Sequence, residues 1–274
     1  MTASLQLLRG LGKSVDFLRR DLRIELTYKF SLINQLADIF FTCCGYYFLA
    51  RFVGARAFPE LGVNYFGYIL IGVAFFDYMT VSLTSFSSAL RDAQMTGAFE
   101  QLLVTQTSLG TIVFGGALYH FLWTTLRSLA FLVLGAWGFG LSLAQANLFG
   151  AAFVALLSIL AFSGVGILSA AMIVVFKRGN PLNWLILSAS WLVGGVLYPV
   201  SILPSWLQPL ARWNPLTVSL AALRAALLKG ASVAALAPQI SLLLVCSAAI
   251  LPASLLCFRW AVEQAKISGT LGEF

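Results

Sequence analysis

Long apolar runs alternate along this chain with short polar or Gly/Pro-bearing stretches, and about 20 mostly apolar residues suffice to cross a bilayer as a helix. Six runs reach or approach that length, at approximately 30–52, 65–89, 110–136, 149–175, 182–200 and 237–258. Ahead of the first, Leu11, Val15, Leu18, Leu22 and Leu26 recur at helical spacing, with Asp16, Arg20 and Arg23 on another side and Phe17, Ile24 and Tyr28 in a weaker second stripe. This pattern predicts an amphipathic helix within 1–29, lying on the inner membrane surface with protein against its other side; a simple basic anchor fits the same residues. The chain as a whole reads as an all-α polytopic membrane protein, with six transmembrane helices in 30–274 and no soluble domain.

Two interruptions carry further pattern. Between the second and third runs, "LRDAQMTGAFEQLLVTQTSLGTIVFGG" places Gly97 before a helix-capable stretch, with Glu100 in its first turn. A short cytoplasmic helix at about 96–106 and an ordinary turn between spans fit it equally. After the fifth run, "YPVSILPSWLQPLARWNPLTVSLAALRAALLKG" holds Pro199, Pro204, Pro209 and Pro215, which forbid one continuous helix. Trp206, Leu207, Leu210, Trp213 and Leu216 keep the stretch apolar. A segment too broken to span and too apolar for a solvated loop is expected to dip into the outer leaflet as a re-entrant hairpin over about 201–229. Pro204 and Ser205 are suited to open its first helix, Asn214 and Pro215 its second. Arg212, Arg224 and Lys229 are expected to face headgroups or anionic cargo.

Composition agrees with the pattern: 60% of the 274 residues are hydrophobic and 10% charged, against about a quarter charged in soluble domains. Cytoplasmic segments retain Lys and Arg. With both termini inside, the inner segments hold Arg9, Lys13, Arg19, Arg20, Arg23, Lys29, Arg91, Lys177, Arg178, Arg259 and Lys266. The outer ones hold only Arg51, Arg56, Arg212, Arg224 and Lys229, so both termini are expected to be cytoplasmic. Anionic lipid headgroups account for the net charge of +7 without nucleic acid as a partner.

Few residues offer chemistry. In "LLRGLGKSVDF", Gly12, Lys13 and Ser14 form the end of a phosphate-binding loop, but its first glycine would fall at Leu7, with too little chain before it for a strand. No cofactor is therefore expected on this chain. Cys43, Cys44, Cys246 and Cys257 form no ligand pattern, and a single histidine, His120, excludes a His-based metal cluster. Asp38, Asp77, His120 and Arg127 are the ionisable residues within spans. Asp77 and Arg127 sit at similar depth on consecutive spans, so an ion pair is the economical arrangement. Tyr46, Tyr47, Phe75, Phe76 and Tyr78 are candidates to line a cargo route, although aromatic clusters in spans more often face lipid or neighbouring helices.

The two interruptions also carry a resemblance. "TGAFEQLLVTQTSLGTIVFG" is similar to the Gly-Thr-Leu-Glu-x-Leu-Leu-x-Thr-Pro segment of ABC type-2 exporter permeases. The stretch from Tyr198 to Gly230 is similar to their "FP-x-S-x-LP-x-W" and "NP-x-T" signature with its following arginine. Ala98 stands where Thr is usual, and Gln106 where Pro is usual. The resemblance implies a transport permease, not an enzyme, with ATP and Mg on a separate nucleotide-binding subunit. It further implies a second permease copy or paralogue, membrane lipids and an amphipathic cargo as partners, in a bacterial plasma membrane. By that analogy Gly97, Ala98, Phe99, Glu100, Gln101 and Leu102 couple to the ATPase, while Pro204, Trp206, Trp213, Asn214, Pro215 and Arg224 belong to the outer hairpin. Rival readings are an ion-coupled secondary transporter, for which no internal repeat is visible, and a lipid-processing membrane enzyme, for which no catalytic set is visible.

Overall fold

The computed structural model describes residues 27–54, 58, 63–95, 109–176 and 181–267. The expected amphipathic segment, but for its last residues, and the whole of 96–106, the expected cytoplasmic hook between the second and third runs, lie outside them. Among the described residues the fold is entirely helical. Helices α1 (Lys29–Val53), α2 (Tyr65–Met95), α3 (Leu109–Phe139), α4 (Leu148–Phe176) and α8 (Ala237–Ile267) are long; α5 (Pro181–Val193), α6 (Gln208–Trp213) and α7 (Pro215–Lys229) are short, with a 3-10 turn at Val200–Ile202. The five long helices are each apolar enough over a sufficient length to cross a membrane.

Helices α2 and α4 form the centre. In its membrane window α2 is 72% buried, whereas α1 is 11% buried and lies at the edge against α2 and α3. Close approach at the centre depends on small side chains, because in lipid packing rather than water exclusion draws helices together. A β-carbon on Gly166 of α4 would lie 2.0 Å from the Ser82 carbonyl oxygen of α2. The Ser87 and Ser169 hydroxyls meet at 3.1 Å along the same seam. On its other side α4 packs along α8, where Gly164 admits Ile250 and Leu251.

The fifth apolar run, expected at 182–200, is helical only to Val193, giving 13 residues. Gly194 and Gly195 end it, Gly195 with φ +72°, and Pro199 prevents its resumption. The prolines beyond occupy places where a missing N–H costs little. Pro204 starts a turn in which its carbonyl accepts from Leu207 N at 2.9 Å, Pro209 lies in the first turn of α6, and Pro215 opens α7. Asn214 caps α7, its side-chain oxygen accepting from Leu216 N at 3.0 Å. Leu216, Leu220, Leu223 and Leu227 recur at helical spacing and are buried, which seats α7 against α4, α2 and α8. Helix α6 instead leaves Leu210 and Trp213 exposed, with Trp206 just before it.

Candidate functional site

Two polar constellations stand in this apolar bundle. The first joins α1, α2 and α3. Arg127 Nη2 donates to Asp38 Oδ2 at 2.7 Å, and Arg127 Nε lies 3.3 Å from Asp77 Oδ2. The Arg127 guanidinium also sits 5.6 Å from the Phe131 ring centroid. An isolated Asp or Arg at the centre of a membrane helix costs about 2.5–3.5 kcal/mol, so grouping all three reduces a large expense. Asp77 and Arg127, paired in the sequence reading, are together; Asp38 was counted among the intramembrane charges but not assigned to them. Nearby the Trp123 indole N–H donates to the Gln35 side chain, a second polar link between α3 and α1. Two carboxylates against one guanidinium leave this trio with a formal charge of −1, and the Asp38 side chain is 57% exposed.

The second constellation centres on Arg224. Expected at headgroups or cargo, it is instead buried, 8% exposed, because α7 lies between α2 and α4 and turns this face inward. Its Nε donates to Tyr68 O at 3.1 Å, one terminal nitrogen to Gly195 O at 2.9 Å and the other to Val196 O at 2.9 Å. The guanidinium carbon is 3.3 Å from the centroid of the Tyr68 ring. Burial draws its pKa down to about 10, which leaves it cationic at neutral pH. The physical need is plain: ending α5 inside the bundle releases carbonyls that water cannot reach, and a planar five-donor group satisfies several at once. Tyr68 and Tyr65 add hydroxyl bonds to Gly195 O and Leu197 O at 3.1 and 3.0 Å. Gly72 completes the node, since a β-carbon there would lie 2.3 Å from Val196 O and 2.5 Å from Arg224 Nη2. Arg212 and Lys229 are exposed.

Deeper along α7 the Ser219 and Ser158 hydroxyls lie 2.7 Å apart, and the Asn214 amide donates to Ser190 Oγ at 3.3 Å. Toward the C-terminal end of α7 Asn147 N donates to Ala226 O at 2.9 Å, and the Asn147 side chain to Ala231 O at 2.9 Å. The hairpin is thus held at both ends and by the arginine between them.

The candidate cargo-route aromatics are divided. Phe75 and Tyr78 are buried, Phe75 packing against Phe162 of α4. Tyr46, Tyr47 and Phe76 are half-buried; Tyr47 meets Phe66 and Phe139, and Phe76 meets Trp191 edge-on at 4.8 Å. All five lie in contacts between helices of this one chain. Gly97, Ala98, Phe99, Glu100, Gln101 and Leu102 lie outside the described residues. Among the described residues no three His, Cys, Asp or Glu side chains are grouped to hold a metal ion, and Cys43, Cys44, Cys246 and Cys257 are free.

The model of the ABC-2 type transporter family matches residues 19–228, which reach into the last turn of α7. Curated proteins give no match. A multi-pass bundle with a broken fifth apolar run and a hairpin pinned beneath it is therefore the membrane component of a transporter, and the chain belongs to the ABC-2 type transporter family.

Proposed function

We propose that this permease exports an amphipathic or lipid-linked cargo, such as a glycan, glycolipid or hydrophobic compound, from a bacterial plasma membrane. Two permease chains, identical or paralogous, pair with nucleotide-binding subunits that hold ATP and Mg, and the stroke reaches the bundle through the hook at 96–106. Six crossings, with α5 and its broken extension as the fifth, keep both termini in the cytoplasm. The observation that carries the reading is the family match over 19–228, which takes in hook and hairpin together. Supporting it, the Arg224 node fixes the hairpin to the bundle, as an element that bounds an exit path requires.

The test is to isolate the full chain from its source membrane under mild conditions. An ATP-hydrolysing subunit should accompany it, and adding the chain to that subunit should change its ATPase rate. A chain that recovers no such subunit and moves cargo only with an ion gradient would overturn the reading in favour of secondary transport.

A further inference from the structure

Contacts between helices place a second charged group at the depth of the ion trio. The apolar window of α2 runs from Tyr65 to Ser88, with Phe76 and Asp77 at its middle. Helix α5 is indexed against α2 at two points: Asn183 Nδ2 donates to Leu83 O at 2.9 Å, and the Trp191 ring meets Phe76 at 4.8 Å. Ser190 is therefore at the level of Phe76, and so is Asn214, whose amide donates to Ser190 Oγ at 3.3 Å. From there α7 runs toward the start of α2 and α4, with Arg224 reaching Tyr68 O and Ala226 O accepting from Asn147 N. The hairpin thus enters the bundle to the level of Asp77, and Arg212, just before Asn214, is at its tip.

Arg212 is exposed, and among the described residues it has no ion-pair partner. Its own neighbourhood cannot supply one. No Asp or Glu occurs from residue 101 to 262, a stretch that includes the hairpin and the helices α5 and α7 against which α6 packs. Asp38, on α1, has the opposite excess. The trio carries a formal charge of −1, Asp38 is 57% exposed, and among the described residues only its Oδ2 accepts a hydrogen bond, from Arg127. Other described cations do not balance it. Lys29 opens α1, about 14 Å along the axis from Asp38; Arg51 and Lys229 lie in the last turns of their helices, and Arg259 toward the C-terminal end of α8. Arg224 is enclosed by carbonyls.

Opposite charges, both exposed and at one depth, therefore stand on separate edges of the chain: α1 packs on α2 and α3, α6 on α5 and α7. Acyl chains can neutralise neither, and a bare charge at this depth is expensive. A two-fold pair of identical chains brings each to its complement twice. The surroundings suit such an interface, since Leu210 and Trp213 are exposed beside Arg212, and Phe40 and Phe41 near Asp38; Trp and Arg are typical anchors of protein interfaces.

We propose that the hairpin tip of one copy docks on α1 of a second copy of this chain, Arg212 pairing with Asp38 in both directions. Each Asp38 then lies between two guanidinium groups, and the charges at this level balance. This rests on the permease reading and deepens it: the second permease is an identical chain, because one sequence carries both halves of the pair.

The experiment measures self-association of the full chain in lipid–detergent micelles, by energy transfer between separately labelled copies on dilution. Arg212→Glu should weaken association tenfold or more, whereas Arg212→Lys should retain most of it. Asp38→Asn should also weaken it, and Arg212→Gln combined with Asp38→Asn should be no weaker than either alone, because the two share one interaction. A cross-link that leaves the pair intact decides the matter if Asp38→Asn does not fold. Phe41→Cys in one tagged chain and Trp213→Cys in another, both with the four native cysteines replaced by Ala, should form a disulfide-linked pair on oxidation. Parent association in folded Arg212→Glu, absence of the cross-link between folded chains, or a parent that stays monomeric overturns the proposal. A monomeric chain that recruits a paralogous permease and an ATPase loses only the identical pairing; one that recruits no ATPase loses the permease reading whether or not it self-associates.

Discussion

Replacing Arg224 by Met keeps an unbranched apolar stem and removes all five donors of the guanidinium. The Val196 carbonyl, which among the described residues accepts only from Arg224, is left buried and unpaired, a loss of about 1–3 kcal/mol. Gly195 O keeps the Tyr68 hydroxyl and Tyr68 O sits within a helix, so each loses a charged bond without being orphaned. Charged bonds contribute about 1.5–3 kcal/mol each, but the variant also escapes the cost of burying a guanidinium, so the expected net loss is about 3 kcal/mol. Arg224→Lys keeps the charge but presents a point donor to carbonyls on two separate segments, and should lose about half as much, roughly 1.5 kcal/mol. Equilibrium unfolding of the full chain in mixed micelles with increasing SDS, followed by tryptophan fluorescence, measures both. A Leu197→Cys probe should also react faster in the Met variant as residues 195–198 loosen. A Met variant as stable as the parent, with unchanged labelling, would refute the reasoning that these carbonyl bonds hold the hairpin to the bundle.

Other expectations follow the same contacts. Gly166→Ala forces a β-carbon to 2.0 Å from the Ser82 carbonyl and should destabilise the chain by about 1–3 kcal/mol in the same unfolding assay. Gly45→Ala, with nothing within 4 Å, is its neutral control. In the ion trio, Arg127→Gln alone leaves two carboxylates unneutralised and should fold worst; adding Asp77→Asn and Asp38→Asn should restore much of the yield of folded protein. A triple variant no better than Arg127→Gln would remove the trio's structural role. Glu100→Lys, in the proposed coupling hook, should lower transport far more than membrane insertion, since losing a desolvated charge pair at an interface costs about 2–5 kcal/mol. Normal export by that variant would make Glu100 a solvated turn residue.

The all-helical class was legible because apolar run length is a strong signal where backbone groups must be satisfied within the helix. The Asn214–Pro215 cap was equally readable, being local chemistry confined to three residues. Asp77 and Arg127 were matched by depth because α2 and α3 are consecutive and antiparallel. Asp38 escaped that match because α1 and α3 are not consecutive in the chain, and only the packing of α1 on α3 brings it to Arg127. Arg224 was misplaced at the surface for a related reason: its environment depends on carbonyls released by a helix ending some thirty residues earlier. Two features hinted at it. Gly194-Gly195 before Pro199 marks a break inside an apolar run, and the buried stripe Leu216, Leu220, Leu223, Leu227 passes beside residue 224.

The central claim is that this bundle moves an amphiphile outward at the expense of ATP hydrolysed on another polypeptide. The most direct measurement reconstitutes the chain with its co-purifying ATPase subunit in inverted vesicles and follows a fluorescent amphiphile from the outer to the inner leaflet. The account predicts ATP-dependent transfer that needs both proteins, stops when ATP hydrolysis is blocked on the partner, and persists when ion gradients are dissipated. Transfer by the chain alone, or transfer abolished by dissipating the gradients while ATP is still hydrolysed, would contradict it.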